Sequence, residues 1–130
     1  MTDPVKVVWE YLSSLPGLPS GCVTGDLVGR EAGQATVYLN ESGGFRLVRD
    51  RMDRVDVEYD VYAEDRAEAK RLALLVRQAL LEELPGREAG GALVLDVAEI
   101  SRPRYYPDSV SREHMYGGEV TLFLTYTNRN

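Results

Sequence analysis

The sequence predicts an α+β fold, with an antiparallel or mixed β-sheet and two helices packed on one face. Three observations predict it. Residues 53–62 alternate, with Val55, Val57, Tyr59 and Val61 on one side and Asp56, Glu58 and Asp60 on the other, the period of a half-buried strand. The period then changes. Leu72, Leu75, Val76, Ala79 and Leu80 fall at i, i+3, i+4, i+7 and i+8, one apolar helical stripe. The order of elements reads helix, short strand, strand, strand, helix, strand, strand, and all but one of the strand–strand connections are short loops.

The 130 residues predict one domain spanning 1–130. A chain of this size buries roughly two-thirds of its unfolded surface, enough for a real core. The net charge of −6 argues against a protein that grips phosphate, which needs a basic face. It leaves room for one that DNA merely passes through. The single cysteine, Cys22, provides neither an internal disulfide nor a zinc site and suits a reducing cytoplasm. No signal peptide is expected at the N-terminus, and no apolar run approaches the ~18 residues of a membrane span.

Thr2 or Asp3 is placed to cap a first helix, with Pro4 at its first position. Val5, Val8, Trp9, Leu12 and Leu15 form its stripe, Trp9 is expected to anchor the core, and Pro16-Gly17 stops the helix. The glycines of 18–33 read as loop around a short strand at Cys22-Val23-Thr24. They are no phosphate cradle, because neither Gly-Lys-Ser/Thr nor G-x-G-x-x-G is present. A strand over Ala35–Asn40 is expected to break at Glu41-Ser42-Gly43-Gly44. Phe45–Asp53 then reads as a long loop or a hairpin arm leaving the body. Glu64 or Asp65 caps the second helix, which runs to about Leu84 and ends at Pro85-Gly86, before a flexible loop at Glu88–Gly91. Ala92–Ile100 suits a central strand, with Leu93, Leu95 and Val97 on one face. Ser101–Asp108 reads as a Pro-broken aromatic loop. The last strand alternates, with His114, Tyr116, Gly118, Val120, Leu122, Leu124 and Tyr126 on one side.

Little of this carries catalytic chemistry. His114 is the only histidine, beside Glu113 at a strand start, and no nucleophile sits in a recognisable elbow. A Cys22–His114 dyad has no flanking signature. Asp56, Glu58 and Asp60 would offer oxygen ligands to Ca²⁺ or Mg²⁺, but alternate strand side chains stand ~7 Å apart, too splayed for one ion unaided. They read instead as a solvated or subunit-facing surface. No metal, cofactor or catalytic residue is assigned. Arg102, Arg104, Tyr105 and Tyr106 combine base-stacking residues with the composition of protein hot spots, and the acidic chain favours a protein contact.

The run Val55–Ala69, in which an alternating strand ends in Tyr62-Ala63, a polar cap follows and Glu68-Ala69 opens a long helix, resembles the centre of tail terminator (tail completion) proteins of long-tailed bacteriophages. The Val8-Trp9-Glu10-Tyr11-Leu12 helix, Gly43-Gly44 before the strand, and Tyr105-Tyr106-Pro107-Asp108 before the strand Tyr116–Tyr126 are similar too. The order of elements matches over nearly the whole chain, apart from 18–33. The resemblance implies a protomer of a homo-oligomeric, typically hexameric, ring. Such a ring caps the head-proximal end of the tail tube, stops its polymerisation and meets the head connector or stopper protein. Genome DNA passes through the lumen without specific binding. The implied location is the virion, after assembly in the host cytoplasm, with no membrane.

Arg46, Arg49, Asp50, Arg51, Arg102, Arg104, Tyr105 and Tyr106 are the interface candidates on that reading. Asp56, Glu58 and Asp60 would face the lumen or a neighbour. The competing expectations are another head–tail joining (neck or stopper) protein, a small enzyme using His114, and a stand-alone ligand-binding or regulatory domain.

Overall fold

The computed structural model describes residues 3–48, 52–107 and 113–126, with no description of the Val48 side chain. Helix α1 (Pro4–Ser13) begins where the sequence places it. Asp3 is the N-cap, accepting from the Val5 N–H at 2.9 Å, and Pro4 follows in the first turn. The elements after it are β1 (Val23–Thr24), β2 (Thr36–Val48), β3 (Met52–Ala63), α2 (Arg66–Gln78), β4 (Glu88–Ala89), β5 (Ala92–Pro107) and β6 (His114–Tyr126).

The fold is α+β: a six-stranded mixed sheet curled into a half-barrel, with both helices packed against it. Strand order is β1-β2-β3-β6-β5-β4. Only β1 and β2 run parallel. The central pairs are long, Thr36↔Tyr62 to Val48↔Met52 and Asp53↔Leu124 to Ala63↔His114. Helix α2 packs on β3, β6 and β5, while α1 touches β1 and β2 at one end of the sheet and β4 at the other. A flat sheet would not bring its first and last strands to one short helix, so the curl wraps around the helices. Val7, Val8 and Leu12 of α1, Leu72 and Val76 of α2, and Val57, Leu122 and Leu124 of the sheet are fully buried there.

In β3 the alternation is as expected, with Val55, Val57, Tyr59 and Val61 buried. Helix α2 starts at the Asp65 cap and leads into a π-helical turn, Ala79–Glu83, which the stripe did not signal. Arg77 holds the helix to β5 through both oxygens of Glu99, at 2.5 and 2.9 Å.

Several expectations are corrected. The buried face of α1 is Val7, Val8, Tyr11 and Leu12; Val5 and Leu15 are half-buried. Trp9 is 44% exposed, because its indole lies at the sheet edge and donates to the Val23 carbonyl at 3.1 Å. Gly43-Gly44 does not break β2. It forms a bulge within the strand, a register shift between Glu41 and Gly43. Gly44 has φ +128°, and a Cβ there would lie 2.2 Å from the Arg54 carbonyl oxygen. Only glycine permits that approach. Phe45 onward is therefore half of a hairpin, and β6 runs beside its β3 half as far as Asp53↔Leu124.

Glu88–Gly91 is a tight hairpin into β5, Ala89 opposite Ala92, with Gly90 and Gly91 both at positive φ as a two-residue primed turn requires. Ser101–Pro107 is strand, not loop. Pro103 fits because this stretch of β5 lies on the sheet edge, where no ladder N–H is needed. Bulges at Val94/Asp96, Glu99/Ser101 and Ser101/Arg104 shift the faces of β5, so Leu95 is exposed while Val94 and Val97 are buried.

Candidate functional site

Both helices lie on the inner face of the sheet, and among the described residues no helix covers its outer face. On that face β3 presents Asp56, Glu58 and Asp60, and β6 presents Met115, Gly117, Glu119 and Thr121. An open groove of about 280 Å³ forms where β3, β6 and β5 meet. Its carboxylates are Glu58, Asp60 and Glu119; Tyr106 and Met115 also line it, and Gly117 leaves it unfilled. A Cβ at Gly117 would lie 2.7 Å from Asp60 Oδ1 and 3.6 Å from the Tyr106 ring.

The electrostatics are unusual for a surface groove. Glu58 stands directly opposite Glu119 in the β3–β6 ladder, a placement that is destabilising for like charges. Burial, then the neighbouring Glu58 carboxylate, pushes Asp60 up to about 6. Ser42 Oγ donates to Glu119 Oε2 at 2.5 Å, but among the described residues no cation forms an ion pair with Glu58, Asp60 or Glu119. No group of three potential metal ligands is found among the described residues.

Comparison with protein-family models and with curated proteins returns no match.

The residues singled out in the sequence divide between surfaces. Asp56 is separate from the groove acids: Arg54 reaches it at 3.3 Å, donates to Thr121 Oγ1 at 3.1 Å and lies over the Phe45 ring. Arg46 is exposed on β2. Arg49, Asp50 and Arg51 lie outside the described residues. Arg102 and Arg104 are exposed on β5, with Arg104 over the Tyr106 ring at 5.6 Å. Because this stretch is a strand, its two tyrosines part. Tyr106 faces the groove. Tyr105 turns inward beneath the Arg66 guanidinium, 3.9 Å from the ring centre, and its hydroxyl meets His114 Nδ1 at 2.7 Å.

His114 and Cys22 are not brought together as a dyad. β2 and β3 intervene between β1, which Cys22 immediately precedes, and β6, and burial pushes the Cys22 thiol up, away from the thiolate a nucleophile needs. The residues missed in the sequence are those of β6: Met115, Gly117 and Glu119. The adjacent Gly117-Gly118 inside an alternating strand was their signal, since glycine there marks a close approach.

Proposed function

We propose that this chain is an assembly subunit of a long-tailed bacteriophage. It closes with copies of itself into a ring at the head-proximal end of the tail tube, ends tube polymerisation and presents the surface that joins the head. The observation that carries this is the pair of unlike open edges on one curled sheet. Among the described residues β1 covers β2 only at Val37 and Tyr38, and β4 covers β5 only at Ala92 and Leu93. Beyond these, two different edges at opposite ends of the sheet have no strand neighbour.

Unlike surfaces on one protomer are what a head-to-tail contact uses, and such contacts close into rings when the rotation permits. Two-residue edge strands, bulges and Pro103 keep the edges from indiscriminate pairing. The tail terminator resemblance selects the phage tail among ring assemblies. Its acidic protomer suits a lumen through which DNA slides.

Electron microscopy of infections lacking the protein tests the reading. Overlong tails are the expected result. Normal-length tails without heads would assign it instead to the tube-to-head joint. The enzymatic alternative is separated by His114→Ala, which leaves assembly intact if the reading holds.

A further inference from the structure

Among the described residues the outer-face groove carries three carboxylates without an ion pair, and the same chain carries exposed cations without one, Arg46 among them. Arg46 is exposed on edge strand β2 and has no ion-pair partner among the described residues. On either side of it, Phe45 and Leu47 are also exposed, at 56% and 43%. The groove presents charge complementary to Arg46: Glu58, Asp60 and Glu119, beside Tyr106 and Met115.

We propose that the Phe45-Arg46-Leu47 stretch of one protomer docks on the Glu58/Asp60/Glu119 groove of a second copy, with the Arg46 guanidinium among the carboxylates. This names the contact within the ring reading above and rests on the chain associating with itself. Charge complementarity, and the place of Arg46 on a part of β2 that β1 does not cover, favour this occupant. A guanidinium between Glu58 and Glu119 turns a repulsive cross-strand pair into a bridged one, and its planar fork suits two carboxylates at once. Tyr106 adds an aromatic face for the same cation.

The contact is between copies rather than within one. Arg46 stands opposite Asp53 on β3, and Glu58, the nearest groove carboxylate on that strand, lies five residues further along, roughly 17 Å at 3.3 Å per residue. An arginine side chain does not span that distance. Stretch and groove are unlike surfaces, so the contact is head-to-tail and closes into a ring where the rotation permits.

Mixing an Arg46→Cys chain with a Glu119→Cys chain under oxidising conditions, with tail-tube protein present, tests the geometry. The native Cys22 is buried and does not compete. A cross-linked pair of unlike chains is expected. In parallel, light scattering follows Arg46→Glu alone and together with Glu58→Arg. The single change is expected to weaken self-association on the order of tenfold or more, and the double change to recover it. Assembly of the parent chain without cross-link and without recovery overturns this contact and leaves the ring reading standing. A parent chain that stays monomeric alone and with tube protein overturns both.

Discussion

Tyr59 lies across Gly118, its directly opposite neighbour on the adjoining strand: a Cβ on Gly118 would sit 2.5 Å from both the Tyr59 Cζ and its hydroxyl oxygen. The pair explains a glycine in the middle of an otherwise apolar, buried strand face. Tyr59 is fully buried, so its ring has no alternative place to go. Gly118→Ala is therefore expected to destabilise the domain by about 2 kcal/mol, the cost of overpacking a tight core. Urea unfolding of the two chains measures it.

The Tyr59 hydroxyl has no hydrogen-bond partner among the described residues. Burial, then the Glu99 carboxylate, raises its pKa well above the usual phenol value, so it stays protonated. A buried donor with no acceptor costs stability rather than adding it. Tyr59→Phe is expected to be neutral or stabilising, by up to about 1 kcal/mol. A clear loss of stability in the same unfolding experiment would mean the hydroxyl has a partner.

Asp60 gives the fold a pH dependence of definite sign. Its folded pKa of about 6 lies above the ordinary 3.8, so the folded state binds the proton more tightly than the unfolded one. The contribution is complete below about pH 4 and is lost as pH rises through about 6. Asp60→Asn removes this loss. The variant is expected to be more stable than the parent at pH 7, by on the order of 1 kcal/mol once solvent screening is allowed for, and to lose its advantage below pH 4. Paired melting curves at the two pH values check it.

Arg30 and Glu113 tie the 18–33 segment to the start of β6. The guanidinium reaches Glu113 Oε1 at 2.8 Å, Gly33 N–H donates to Oε2 at 3.0 Å, and both ionic side chains are largely buried. Removing the carboxylate takes its charge away from a largely buried guanidinium, which keeps its hydrogen bonds to Thr36 Oγ1 and the Gln34 carbonyl. Glu113→Ala is expected to cost about 3 kcal/mol, more than any surface ion pair here. Denaturant titration of the variant is the measurement.

On the ring reading proposed above, reversing Arg46, Arg49 and Arg51 to Glu is expected to impair ring or tube joining while leaving the domain folded, because Arg46 is exposed on a part of β2 that β1 does not cover. Light scattering with tube protein reads the joining, and far-ultraviolet circular dichroism reads the fold. Loss of the folded spectrum would place this stretch in the core.

The sequence by itself determined the elements whose signal is local. Alternation in β3 and β6 and the 3.6 period of α2 follow from side-chain direction along one segment, and the Asp3 and Asp65 caps act on N–H groups two residues away. Both helices, the main strands and the α+β class were legible for that reason. What depended on a partner was not. Whether Trp9 or Val7 faces inward was decided by where β1 and β4 converge on α1. Ser101–Pro107 became strand because β6 supplied a ladder, and Pro103 is tolerated because, among the described residues, that stretch has no strand neighbour on its other side. Gly44 and Gly118 are glycines because of Arg54 and Tyr59, ten and fifty-nine positions away.

The groove has the same origin. Asp56, Glu58 and Asp60 read as equivalent along one strand. The β3–β6 register set Glu119 opposite Glu58 and left Asp56 to Arg54, and the strand character of β5 turned Tyr106 outward and Tyr105 inward. Charge along a strand is visible in sequence. Which charges meet is fixed by pairing between segments, and that is a property of the folded sheet alone.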